Sequence, residues 1–113
     1  MSKQLTSPVP EYPGHVTIPA RFTAPQYLLY KQTSEAIRET SGNYDALALA
    51  ALPGVIGLVE EWAIDGLDAR PTLENFPVTP IVPAISFLLF IWGEINKVVM
   101  PTVEVPNESS PQP

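Results

Sequence analysis

The chain contains no cysteine, a single histidine and half as many basic as acidic residues. The lack of cysteine excludes a disulfide framework and thiolate metal sites, and it fits a reducing compartment. His15 has neither a Ser or Cys nucleophile in a recognisable motif nor a second metal ligand near it in the sequence. We therefore expect a protein that is not an enzyme and that binds no cofactor and no metal.

Basic residues are too few and too scattered for a nucleic-acid surface. The net charge is -6, and no two of the six Lys and Arg residues are adjacent. Binding to a phosphate backbone needs clustered Lys and Arg, so no nucleic-acid partner is expected. An acidic surface instead favours solubility and basic or apolar partners.

A long uncharged stretch raises the question of a membrane span. Residues 75–93 carry no charge, but Pro77, Pro80 and Pro83 interrupt the first half. The unbroken part, residues 84–92, is about half of the roughly 20 residues that a bilayer requires. The pattern favours a buried core helix and, since the first residues lack the apolar run of a signal peptide, a cytoplasmic protein.

The 113 residues predict one domain with an extension at each end. Residues 1–13 contain Pro8, Pro10 and Pro13 and are expected to form a flexible arm. Residues 14–100 are expected to form a helical domain, and residues 101–113 a Pro-rich tail.

The predicted fold is mainly α, with three to four helices near 24–40, 44–65 and 80–99. Thr23 and Gln26 match a capping box at the first start. Pro53 is expected to kink or divide the second helix. Residues 15–18 and 102–105 resemble short strands that could pair as a β-hairpin. The expected core is formed by residues at helical spacing: Leu52, Ile56, Val59, Ile85, Leu88, Trp92 and Ile95.

The strongest candidate for a binding surface follows the second predicted helix. Glu60, Glu61 and Asp65 lack the spacing of a calcium loop, so we interpret them as a solvated rim. Trp62 beside them is either a core residue or an interface hot spot. The predicted partner-binding residues are the acids and nearby apolar side chains: Glu60, Glu61, Trp62, Ile64, Asp65, Leu67 and Phe87.

Three segments resemble the tail assembly chaperones of long-tailed bacteriophages. They are residues 14–19 (GHVTIP), 60–67 (EEWAIDGL) and 72–77 (TLENFP). The resemblance covers about residues 14–100, and its motifs are degenerate. It implies a host-cytoplasmic protein that coats the tape measure protein during tail morphogenesis, keeps its apolar helices soluble and helps to recruit tail tube subunits. The third helix is more apolar than this family leads us to expect.

Two other functions fit the same sequence. A minor structural or adaptor protein of a phage particle could use the Pro-rich ends to link subunits. A small membrane-associated protein could use residues 75–93. The sequence leaves the oligomeric state, including a homo-oligomer, open.

Overall fold

A computed structural model describes residues 2–100, which form an α+β domain. The chain order is β1 (Ser2–Thr6), β2 (Gly14–Pro19), α1 (Ala24–Arg38), α2 (Tyr44–Leu58), β3 (Glu61–Ile64) and α3 (Ile81–Val99). The strands form one antiparallel sheet in the order β1-β2-β3. The prediction of a mainly α fold is therefore wrong, because 15% of the residues belong to a sheet beside 49% in helices.

The expected flexible arm is instead an edge strand and a buried loop. Leu5 lies opposite Val16 of β2, and both side chains are buried. Pro8, Pro10 and Pro13 all fall after β1, where no strand hydrogen bond is required of them. Val9 and Tyr12, which alternate with these prolines, point into the core. The prolines led to the prediction of a flexible arm, but they do not prevent a strand in the residues before them.

The second predicted helix ends seven residues early, at Leu58. Val59 adopts an extended conformation, and the Glu60 amide donates to the Thr17 carbonyl at 2.7 Å. In β3, Glu61 and Ala63 are exposed while Trp62 and Ile64 are buried. Four alternating residues are too few to distinguish a strand from a continuation of the helical spacing before them. The prediction of a helix to residue 65 was therefore wrong.

Both edges of β2 are occupied within the described residues. His15 pairs with Thr6 of β1 on one side and with Ala63 of β3 on the other. These pairs occupy the strand that was predicted to pair with residues 102–105. Residues 102–105, and the whole predicted tail 101–113, lie outside the described residues.

Individual residues explain where α1 begins and how closely α2 packs against it. The capping box is confirmed: the Gln26 amide donates to Thr23 Oγ1 at 3.4 Å, and the Thr23 amide donates to Gln26 Oε1 at 2.8 Å. α2 continues through Pro53 as one helix. Gly54 lets α1 approach closely, since a Cβ there would lie 2.6 Å from Thr33 Oγ1.

One face of α3 is fully buried. Its buried side chains are Ala84, Phe87, Leu88, Ile91, Trp92 and Ile95. Five of the seven predicted core residues are buried, and Ile56 and Ile85 are half-buried against the same cluster. The burial of this apolar face stabilises the fold, because it removes large apolar side chains from water.

An ion pair fastens the edge strand to α3. Lys3 of β1 and Lys97 of α3 each lie 3.1 Å from a carboxylate oxygen of Glu94. Burial raises the pKa of Glu94, but the hydrogen bonds and charges of the two lysines outweigh it and bring the pKa below its ordinary value. The charged form of Glu94 is thus favoured in the folded state.

We predict that Leu88→Ala lowers the free energy of unfolding by about 2–5 kcal/mol, because it removes a buried side chain and leaves a cavity. Leu28→Ala is the matched control, since Leu28 is an exposed leucine on α1. Its free energy of unfolding should change by about 0.5 kcal/mol or less. Urea unfolding followed by circular dichroism measures both, and equal effects would contradict the placement of Leu88.

We predict that Glu94→Gln reduces stability at neutral pH by about 1 kcal/mol or less per ion pair. Because the folded-state pKa lies below the ordinary 4.5, the stabilisation is complete above that pH. It is lost as the pH falls through the folded-state pKa. Wild type and variant should therefore converge in acid. A stability difference that persists unchanged in acid would show that the carboxylate charge is irrelevant.

Candidate functional site

The three apolar residues at the centre of the predicted binding surface lie in the core instead. Phe87 is 0% exposed, Trp62 is 8% exposed, and Ile64 is buried. The Trp62 ring contacts Phe76 edge-on at 5.7 Å between centroids and lies 6.4 Å from the Phe87 ring. Phe87 and Ile64 are therefore core residues, and only the small exposed part of Trp62 is open to a partner.

An aromatic cluster of Tyr12, Trp62, Phe76 and Phe87 joins the sheet to α3. Tyr12 stacks on Phe87 with centroids 4.5 Å apart and planes 8° from parallel. Its hydroxyl donates to the Pro77 carbonyl at 3.1 Å. Burial and, secondly, the charge of Glu11 raise the pKa of Tyr12, so the hydroxyl remains a donor at neutral pH. The cluster is structural in the free protein.

The predicted acidic rim divides between two separate clefts. Glu60 and Glu61 line an open cavity of about 390 Å³ together with an edge of Trp62 and with Arg70. Ser2 donates to Glu60 at 2.7 Å, which ties this cavity to β1. Asp65 and Leu67 instead line a cleft of about 150 Å³. The seven predicted residues therefore do not form one surface.

Metal binding finds no support in the geometry of these acids. Within residues 2–100, no group of three or more His, Asp or Glu side chains could hold a metal ion. Arg70 lines the same cavity as Glu60 and Glu61, so the cavity contains a positively charged side chain beside these acids.

An open groove with both polar and apolar lining runs between α1 and the end of α3, and we call it the α1–α3 groove. Its volume is about 610 Å³. One face of α1 forms one side of it, with residues spaced three or four apart: Tyr27, Tyr30, Lys31, Ser34, Ile37 and Arg38. Trp92, Val99 and Met100 form the other side.

The floor of the α1–α3 groove is preformed. Tyr30 stacks on Trp92 with centroids 5.3 Å apart, and its hydroxyl donates to Asn96 Oδ1 at 2.6 Å. Tyr27 stands at the rim and is 44% exposed. A neighbouring cavity of about 270 Å³ shares Tyr27 and Val99 and extends the apolar surface towards the start of α1. A ligand would meet aromatic surface that is already ordered.

The groove has a charge opposite to that of the protein. Lys31 and Arg38 line it and, among residues 2–100, no acidic residue does, although the chain carries twelve acids and six bases. In the part of the chain that the structure describes, neither base takes part in a salt bridge; only Lys3 and Lys97 do. Residue spacing alone did not reveal this site, because Lys31 and Arg38 border a groove only where the end of α3 lies beside α1.

α3 also meets the length and composition of a membrane span. Among the described residues it is the one helix that does so, with 19 residues and a mean hydropathy of 1.5. A third of its apolar window is buried, on the face that packs against the sheet and the other helices.

Comparisons with known proteins identify no relative. No protein-family model matches the chain, and neither a curated protein nor a solved structure matches it. The resemblance to tail assembly chaperones thus rests on the sequence features alone.

We predict that Trp62→Ala acts on stability and lowers the free energy of unfolding by about 3–5 kcal/mol, as expected for a buried tryptophan. Glu61→Ala, at an exposed neighbouring position of β3, should change it by about 0.5 kcal/mol or less. Thermal or urea unfolding measures both variants. If Trp62→Ala leaves the free energy of unfolding unchanged, Trp62 is not a core residue and is again a candidate for the binding surface.

Proposed function

We propose that the protein is a tail assembly chaperone of a long-tailed bacteriophage that binds apolar helical segments of the tape measure protein in the α1–α3 groove. The observation that carries the proposal is the groove itself, an open cleft with Tyr27 exposed at its rim and the buried stack of Tyr30 on Trp92 beneath it. The chaperone would act in the host cytoplasm, without catalysis or a cofactor, and its loaded form could also recruit tail tube subunits.

The dimensions of the groove suit a helix. From Tyr27 to Arg38, α1 extends about 16 Å, which is about three helical turns. A client helix of that length presents apolar residues at i, i+3, i+4 and i+7, the pattern used in helix-in-groove recognition. The exposed ring of Tyr27 and the exposed side chain of Met100 supply the apolar contact area, and the buried stack of Tyr30 on Trp92 supports them from below.

The surface charge suits the solubilising part of the function. The net charge of -6 keeps the unloaded protein dispersed and would make a client coated by several copies strongly acidic. Each copy covers only a short length of a long client, so several copies are expected per tape measure protein. A coat of like-charged domains opposes aggregation of the client's apolar segments.

We predict that Tyr27→Ala weakens binding to the tape measure protein by about tenfold, or about 1.4 kcal/mol, because it removes an exposed aromatic contact in the groove. Tyr44→Ala is the matched control: Tyr44 is 68% exposed at the start of α2 and does not line the groove. It should bind within about twofold of wild type, since contacts outside an interface carry little binding energy.

The measurement is co-expression with the tape measure protein of the same phage, followed by a pull-down and titration of the purified pair. The client should become soluble only in the presence of this protein. If the client is soluble alone, the chaperone function is wrong. If Tyr27→Ala and Tyr44→Ala bind equally, the site assignment is wrong. Recovery of the protein from finished particles in fixed copy number would favour the structural alternative.

A further inference from the structure

Two basic residues stand along the α1–α3 groove at a helical repeat. Lys31 and Arg38 are seven residues apart on α1, which places them on the same face and about 10.5 Å apart along the helix axis. Between them lie Ser34 and Ile37, and within residues 2–100 no acidic side chain lines the groove. The groove therefore offers two positive charges two turns apart beside the exposed apolar surface of Tyr27 and Met100.

We propose that this pair selects the client segment: the groove takes an apolar helix that carries two carboxylates seven residues apart at the border of its apolar stripe. This rests on the proposed function and specifies its partner. A client helix lying along α1 has the same 1.5 Å rise, so carboxylates at i and i+7 face Lys31 and Arg38 together. The match is independent of the direction in which the client helix runs.

Local charge identifies this occupant: Lys31 and Arg38 attract carboxylates, whereas the net charge of the whole protein repels them. An acidic peptide approaching a protein of net charge -6 is repelled overall. A preference for an acidic client can then come only from local contacts with Lys31 and Arg38. Exposed ion pairs are weak individually, so the expected gain from two of them is about 2- to 30-fold in affinity. Their main effect is on the choice and register of the client.

The test uses the full chain and four synthetic peptides that share one leucine stripe and one length. Three of the peptides carry two Glu, two Gln or two Lys residues, placed seven residues apart at the border of the leucine stripe. The fourth peptide carries its two Glu residues on the opposite face. Fluorescence anisotropy measures each dissociation constant at low salt and at about 1 M salt, where charges are screened beyond about 3 Å.

The peptide with bordering Glu residues should bind about 2- to 30-fold more tightly than the Gln peptide, and the Lys peptide more weakly. The peptide with Glu on the opposite face should gain nothing, and the differences should vanish at about 1 M salt. The variant Lys31→Glu/Arg38→Glu should reverse the order of the Glu and Lys peptides. Arg21→Glu/Arg70→Glu is the matched control; it changes net charge equally at positions outside the groove and should keep the order.

The outcomes separate this inference from the proposed function. If no peptide binds, the helix-binding function fails. If all four bind equally, the function stands and the selection of acidic clients is overturned. The chain itself carries Glu104 and Glu108 after Met100, which lines the groove. If Glu104→Gln/Glu108→Gln tightens binding of every peptide equally, the groove's acidic occupant is residues 101–113 and the assignment to a client is wrong.

Discussion

The burial of Phe87 against Tyr12 is the contact on which the rest of this structure depends. Phe87 belongs to α3, and Tyr12 lies in the loop between the first two strands. Their stacking, with Trp62 of β3 beside them, joins the sheet to the helices. A three-stranded sheet needs one face packed against other elements to be stable, and this cluster supplies that face.

A second aromatic contact, between Tyr30 of α1 and Trp92 of α3, determines where binding is feasible. It holds the two helices together while Tyr27 and Met100 at the rim remain exposed. Both tryptophans are buried, with Trp62 8% and Trp92 7% exposed, and each borders an open cavity. Trp62 of β3 lies beside Phe87 of α3, whereas α1 lies beside the end of α3 near Val99.

Much of the helical part could be predicted, because its signals are local. The capping box at Thr23 and the apolar spacing of α3 depend only on neighbours in sequence. The candidate site could not be predicted in the same way. Trp62 is a frequent type of hot spot and stands among acids, yet its exposure depends on Phe76 and Phe87, which are distant in sequence. Tyr27 showed no comparable signal, since only the end of α3 makes its face of α1 a groove.

The sequence by itself determined the helix starts, the apolar face of α3, the absence of cysteine chemistry and the acidic net charge. These follow from residue type and from spacing within a few turns. Only the tertiary structure decided that residues 2–6 are a strand, that β3 replaces the last turns of a helix, and that Lys31 and Arg38 border an open groove. Each of these depends on contacts between distant segments, whose pairing free energy overrides local preference.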